Sequence, residues 1–244
     1  MSVEYTPLKI YKNLEIFFKY RQLDLVYGNL SVDKGKIKSS SKKWLTDSEF
    51  ISTIQFQGYV IVEAVDSETR KRRMKSYPPS IRKLPVTTII IIFDDIEKYT
   101  KTQYYKQLIE RLPHIQDSGN IEIITIARGE PSVFLRKAIA SIERVDDPRG
   151  YIRIFSREYA NYCSIIPLHV NAPKCRVVSS AEEEEIIRAL YTDKSQLPRV
   201  FDSDGLIIWF PVEMGDIVEE LHMSESVGYE KIYRVVVATP QIEK

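Results

Sequence analysis

The sequence predicts a mixed α/β fold in two domains. Residues 86–93 form an uncharged, β-branched run (Val-Thr-Thr-Ile-Ile-Ile-Ile-Phe), the pattern of a strand buried on both faces. A helical apolar pattern follows over 98–112 and another strand-like run over 120–127, the order of a right-handed parallel crossover. Residues 173–237 then read as a separate compact α/β unit: a capped helix, two polar turns and a closing strand. The 244 residues suffice for one large or two small domains.

At the N-terminus, Thr6 and Pro7 read as N-cap and first helical residue. Leu8, Tyr11, Leu14, Phe17, Phe18 and Leu25 continue an apolar stripe at helical spacing, predicting a helix that runs to near Gly28. Residues 33–43, rich in Lys and Ser, read as an exposed connector, and 58–64 as a strand within the segment 50–64. The most basic stretch follows: Arg70, Lys71, Arg72, Arg73, Lys75, Arg82 and Lys83, interrupted by Tyr77 and Pro78-Pro79. After the crossover, the pattern predicts a helix over 132–142 and strands over 151–155 and 164–170, with a domain boundary at 162–167.

In the C-terminal unit, Ser179 or Ser180 is placed to cap a helix, with Glu182 or Glu183 returning the bond as a capping box. Glu182 to Glu185 suit the positive end of the helix dipole, and Ile186, Ile187 and Leu190 supply its buried stripe. Gly215-Asp216 forms a turn between apolar runs, and Gly228 closes a second turn before a strand at 232–238.

Composition narrows the function classes. Apolar content of 43% and charged content of 28% are ordinary for a globular chain, and the net charge of +1 gives no global attraction to nucleic acid or membrane. Two cysteines do not make a disulfide scaffold. No signal peptide opens the chain and the longest apolar run is too short to span a bilayer, so a soluble intracellular protein is expected.

Three chemical readings fail on their residues. Asp94 and Asp95 follow an apolar strand as in nucleotide hydrolases, but no Gly-Lys-Ser/Thr loop is present to hold phosphates. A divalent-metal nuclease would pair Asp94 or Asp95 with Glu122 or Glu130, yet position 124, where such a site carries lysine, is isoleucine. Cys163, His169 and Cys175 are spaced too widely for a structural zinc site and lack a fourth ligand unless His114 or His222 joins them. No catalytic group, metal, cofactor or small-molecule substrate is expected.

The motifs of the C-terminal unit fall in one order: Leu197-Pro198-Arg199, then Gly215-Asp216-Ile217-Val218, Ser224-Glu225-Ser226-Val227-Gly228 and Tyr233-Arg234, with His169 ahead of Pro173-Lys174. This resembles the C-terminal assembly domain of the subunit shared by eukaryotic nuclear RNA polymerases I, II and III. Archaeal RNA polymerases carry a counterpart that is essentially this domain alone. The chain departs from that family where Gly205 replaces proline after Asp204, and where Glu213, Glu219, Glu220, His222 and Met223 occupy positions that are often basic.

The resemblance implies a non-catalytic polymerase subunit with an N-terminal jaw domain (1–162), restriction-endonuclease-like in its sheet and flanking helices, and an assembly domain (165–244). It implies docking on the largest subunit through Leu197, Pro198, Arg199, Gly215, Asp216, Ser224, Glu225, Gly228, Tyr233 and Arg234. The jaw would lie beside downstream duplex DNA, with weak, sequence-independent phosphate contacts from Arg70 to Lys83. A solvated loop and a nuclear-import signal are the other readings of that basic stretch. The implied location is the nucleus, or a virion or cytoplasmic viral factory if a large DNA virus encodes the chain. A stand-alone nucleic-acid-binding or adaptor protein in transcription is the alternative, with the nuclease behind it.

Overall fold

The computed structural model describes residues 6–33, 36–67, 84, 86–94, 99–112, 115, 119–129, 131–144, 147–224 and 228–239. These form two compact units, 1–164 and 165–244, with a mixed α+β fold. Among the described residues no helix is long and apolar enough to cross a membrane.

The first unit is built on a five-stranded sheet in the order β1 (Leu23–Tyr27), β4 (Tyr59–Asp66), β5 (Val86–Phe93), β6 (Asn120–Ala127), β7 (Ile152–Glu158). Strands β1, β4 and β5 pair antiparallel, whereas β5, β6 and β7 are parallel. The connections within the parallel part carry helices α3 (Thr102–Glu110) and α4 (Val133–Ile142). Ile61, Ile89, Ile91, Ile121 and Ile123 point to one face and pack with Tyr105, Leu108 and Ile109 of α3 and Leu135 and Ile139 of α4. The opposite face carries Thr88, Ile90, Ile92, Glu122, Ile124 and Ile126, all buried. Helix α1 (Thr6–Arg21) ends over that second face, where Arg21 Nη2 lies 3.7 Å from Glu122 Oε2. With both faces covered, the isoleucine run has no solvent side, which is why it lacks the usual alternation.

Several elements differ from the sequence reading. Helix α1 stops at Arg21 because Gln22 turns left-handed (φ 55°) and Leu23 begins β1, pairing with Asp66 at the sheet edge. Leu25 satisfies helical spacing and strand alternation equally, and the open edge of β4 decides for the strand. The segment expected as a connector is a hairpin, β2 (Asn29–Asp33) with β3 (Lys36–Ser41). Gly28 docks its base: the Gly28 N–H donates to the Ser41 carbonyl, and a Cβ at Gly28 would meet the Lys43 oxygen at 2.2 Å. Helix α2 (Asp47–Gln57) stands where the sequence pattern predicts no element; a reciprocal Thr46/Glu49 capping box opens it and Gly58, at φ 78°, closes it. Residues expected as a strand at 164–170 include the 3₁₀ turn Ile166–Leu168, where Pro167 cannot donate to a ladder. A short helix, α5 (Ala160–Cys163), precedes it.

The second unit is a four-stranded sheet in the order β8 (Lys174–Val177), β10 (Ile217–Ser224), β11 (Gly228–Val237), β9 (Arg199–Phe201). Only β11 and β9 pair parallel. Helix α6 (Ser180–Ala189) covers one face, where Val178, Leu197, Ile217 and Val235 form the core with Ile186 and Ile187 against it. Ile207, Val218 and Val236 form a second small core on the other face, with Cys175, Val200 and Val212. Ser179 is the N-cap of α6: its hydroxyl accepts from the Glu182 N–H while the Glu182 carboxylate accepts from the Ser179 N–H. Leu190 lies beyond the helix and is 46% exposed, so it does not extend the buried stripe.

Candidate docking surface

The residues singled out for docking do not converge on one patch. Apart from Tyr233 and Arg234, they lie at the two ends of the β10–β11 ladder, roughly 25 Å apart at the ordinary rise of a strand. At one end, Pro198 O accepts from Val235 N at 2.8 Å, Arg199 begins β9 with an exposed side chain, and Leu197 is buried beneath them. Gly215 adjoins this end: its N–H donates to Val236 O at 2.8 Å, and its φ of 83° explains why glycine stands at the turn. Asp216 is buried, its Oδ2 accepting from Glu213 N at 2.8 Å, so it builds the turn from inside. At the far end, Ser224 pairs with Gly228, and Glu225 lies outside the described residues.

Arg234 and Tyr233 lie inside the ladder, one and two pairs in from its Ile217–Val235 end, on opposite faces. Each meets a carboxylate that the sequence reading marked only as a departure in charge. On the α6 face, Glu219 is bound by Arg176 through two nitrogens (Nε and Nη2, each 3.1 Å), by Tyr233 Oη at 3.0 Å and by Lys231 Nζ at 3.4 Å. The guanidinium beside it holds the Glu219 carboxyl below the usual carboxylate range despite burial. Burial, and then the bond to Glu219, push the Tyr233 phenol up. On the other face, Glu220 Oε2 accepts from Arg234 Nε at 3.1 Å and lies 2.9 Å from His222 Nε2. A further buried carboxylate, Glu183 of α6, accepts from Lys194 Nζ at 3.1 Å on both oxygens and from Ile217 N at 3.3 Å. Thus Glu183, expected to serve the helix dipole, ties α6 to β10.

The tip of the hairpin presents Met223 and Tyr229, which face each other across the ladder and are 80% and 63% exposed. The basic segment holding Arg70, Lys71, Arg72, Arg73, Lys75, Arg82 and Lys83 lies outside the described residues.

The geometry also bears on the discarded chemistry. Asp94 follows the C-terminal end of β5, whereas Glu122 sits beside Thr88, six residues back along the parallel register. That places them about 20 Å apart, too far to share a metal ion. Asp95 and Glu130 lie outside the described residues. Cys175 packs in the second core of the C-terminal unit, and burial pushes its thiol up to about 12. Among the described residues no three His, Cys, Asp or Glu side chains converge as a metal site.

Residues 165–236, almost the whole second unit, match the family described as RNA polymerase Rpb5, C-terminal domain. The DNA-directed RNA polymerase subunit Rpo5 of Thermococcus kodakarensis is 35% identical over 69 residues, which is 28% of this chain and 84% of that subunit. The chain belongs to the Rpb5/Rpo5 family of RNA polymerase subunits. The Rpo5 subunit of Nitrosopumilus maritimus is 30% identical over 73 residues, 30% of this chain and 88% of its own length. These archaeal relatives are little more than the second unit. The DNA-directed RNA polymerase V subunit 5C of Arabidopsis thaliana is 22% identical over 219 residues, 84% of this chain and 88% of its own. Family likeness therefore extends into the first unit.

Proposed function

We propose that this chain is a non-catalytic subunit of a multisubunit DNA-directed RNA polymerase, docked on the largest subunit through its C-terminal unit. The observation that carries this reading is the coincidence of a structural unit, 165–244, with the family match at 165–236. In this role the C-terminal unit is an assembly domain. The ladder end built by Leu197, Pro198, Arg199, Gly215 and Asp216 and the hairpin tip at Ser224, Glu225 and Gly228 are its contact points, with Tyr233 and Arg234 bracing the sheet between them. The N-terminal unit is the lower jaw beside downstream duplex, and the basic stretch 70–83 neutralises phosphates without reading bases. Nucleotide addition rests with the two largest subunits, and the protein works where its polymerase works, the nucleus for a cellular enzyme.

Affinity purification of the tagged full-length chain at moderate salt, with a nuclease wash, tests this. The two largest polymerase subunits are expected in equal amount. Their absence from the purified material refutes the assignment.

A further inference from the structure

Strand β11 is ten residues long, but its outer neighbour β9 covers only Val235, Val236 and Val237. The ladder fixes which backbone groups the uncovered part presents. Val235 N donates outward to Pro198 O, whereas Val236 N donates inward to Asp216 O. The register continues to Gly228 without a bulge, so Tyr233, Lys231 and Tyr229 share the outward orientation of Val235. Their three N–H and three C=O groups meet no backbone or side-chain partner among the described residues.

Pro198 explains why β9 goes no further. In a parallel ladder the next bond would run from the amide of residue 198 to the Tyr233 carbonyl, and proline has no N–H to give. The side chains along this edge are arranged to select a partner. Tyr229, Lys231 and Tyr233 lie on the α6 face as an aromatic, cationic, aromatic row. The Lys231 ammonium spends one long contact on Glu219, which Arg176 already holds with two bonds, and its side chain is 56% exposed.

We infer that the edge Gly228 to Arg234 is a strand-addition site for an extended segment of the subunit on which this chain docks, carrying an acidic residue opposite Lys231 between two apolar ones. The inference rests on the polymerase-subunit reading. Backbone bonds supply the attachment, while the tyrosines and the lysine set the register. A Lys and a Glu along the edge guard the free chain against indiscriminate pairing.

The test uses the full-length chain alone and assembled in polymerase purified with it, and reads hydrogen exchange at single amides. Assembly is expected to slow the amides of Tyr229, Lys231 and Tyr233 at least tenfold. Lys231→Pro removes an outward N–H and leaves the β10 bonds intact. It should lower co-purified polymerase at least tenfold with an unchanged denaturation midpoint, whereas Lys231→Ala, which keeps the N–H and loses only the cation, lowers it by a smaller factor. Should the proline variant fail to fold, the exchange measurement on the unaltered chain decides. Polymerase that assembles while these amides keep their free-chain rates overturns strand addition and leaves the subunit reading standing. Protection that instead rises with concentration of the isolated chain assigns the edge to a second copy and overturns the inference. Failure to recover any polymerase subunit strikes the subunit reading itself.

Discussion

Replacing Arg176 by Met removes both strong bonds to Glu219, a carboxylate only 8% exposed, and leaves it with Tyr233 and a distant Lys231. Hydrogen bonds to a charged group contribute about 1.5–3 kcal/mol, and breaking a fully buried pair costs about 3–5 kcal/mol. Arg176 is half exposed, so water replaces part of the loss, and about 2 kcal/mol is expected. Its second partner, Glu182, is exposed and adds little. Glu219→Gln should cost about 1–2 kcal/mol, and the double variant little more than the larger single change, a coupling of about 1–2 kcal/mol. The chain has two tryptophans, Trp44 in the first unit and Trp209 fully buried in the second. In a Trp44→Phe background, Trp209 fluorescence during urea unfolding reports the C-terminal unit alone. The pH dependence gives a second reading. The Glu219 carboxyl is lowered on folding, so its stabilisation is complete above the ordinary carboxylate range and is lost as pH falls through the folded-state value. Glu219→Gln should remove that component of acid sensitivity. Additive single and double variants, with coupling below about 0.3 kcal/mol, would refute a working pair.

Tyr11→Phe removes a hydroxyl that donates to Gly28 O at 2.7 Å and accepts from Leu45 N at 2.9 Å, so both backbone groups lose a part-buried partner. The expected cost is about 2 kcal/mol, read by Trp44 fluorescence during denaturation, because the ring packs 5.2 Å from Trp44. A loss below about 0.5 kcal/mol would show that water satisfies both groups. Cys175 should be inert toward thiol reagents at pH 8 until the C-terminal unit unfolds, since burial pushes its thiol up to about 12. Mass mapping of alkylated native chain checks this, and rapid labelling at Cys175 would contradict the packing described.

How much of this was legible in the sequence depends on how local each signal is. The Ser179 cap, the Gly215 turn and the eight-residue strand β5 are local, and each stands where its own residues predict it. Helix α2 carried the same kind of cap, at Thr46 and Glu49, but buries only Phe50 and Ile54, too short a stripe to register as periodic. The β2–β3 hairpin is rich in Lys and Ser and is held at its base by Gly28 and Tyr11, contacts that no local pattern encodes. In the second unit, Arg176 and Glu219 stand 43 residues apart and meet only because β8 and β10 pair in one register. Until that register is known, Glu219 and Glu220 look like surface charge. In the structure they brace the two faces of the sheet.

Strand β5 has a consequence for how the protein is made. Eight uncharged, mostly β-branched residues without proline are the composition of a cross-β segment, harmless here because β4 and β6 flank it. On the ribosome β4 is already available when β5 emerges, but β6 ends 34 residues after Phe93. At about 5–20 residues per second, one edge of the isoleucine run is open for roughly 2–7 s in every newly made molecule. A chaperone that binds extended apolar segments therefore has its natural target here, and overproduction of the chain should fail by aggregation through this strand.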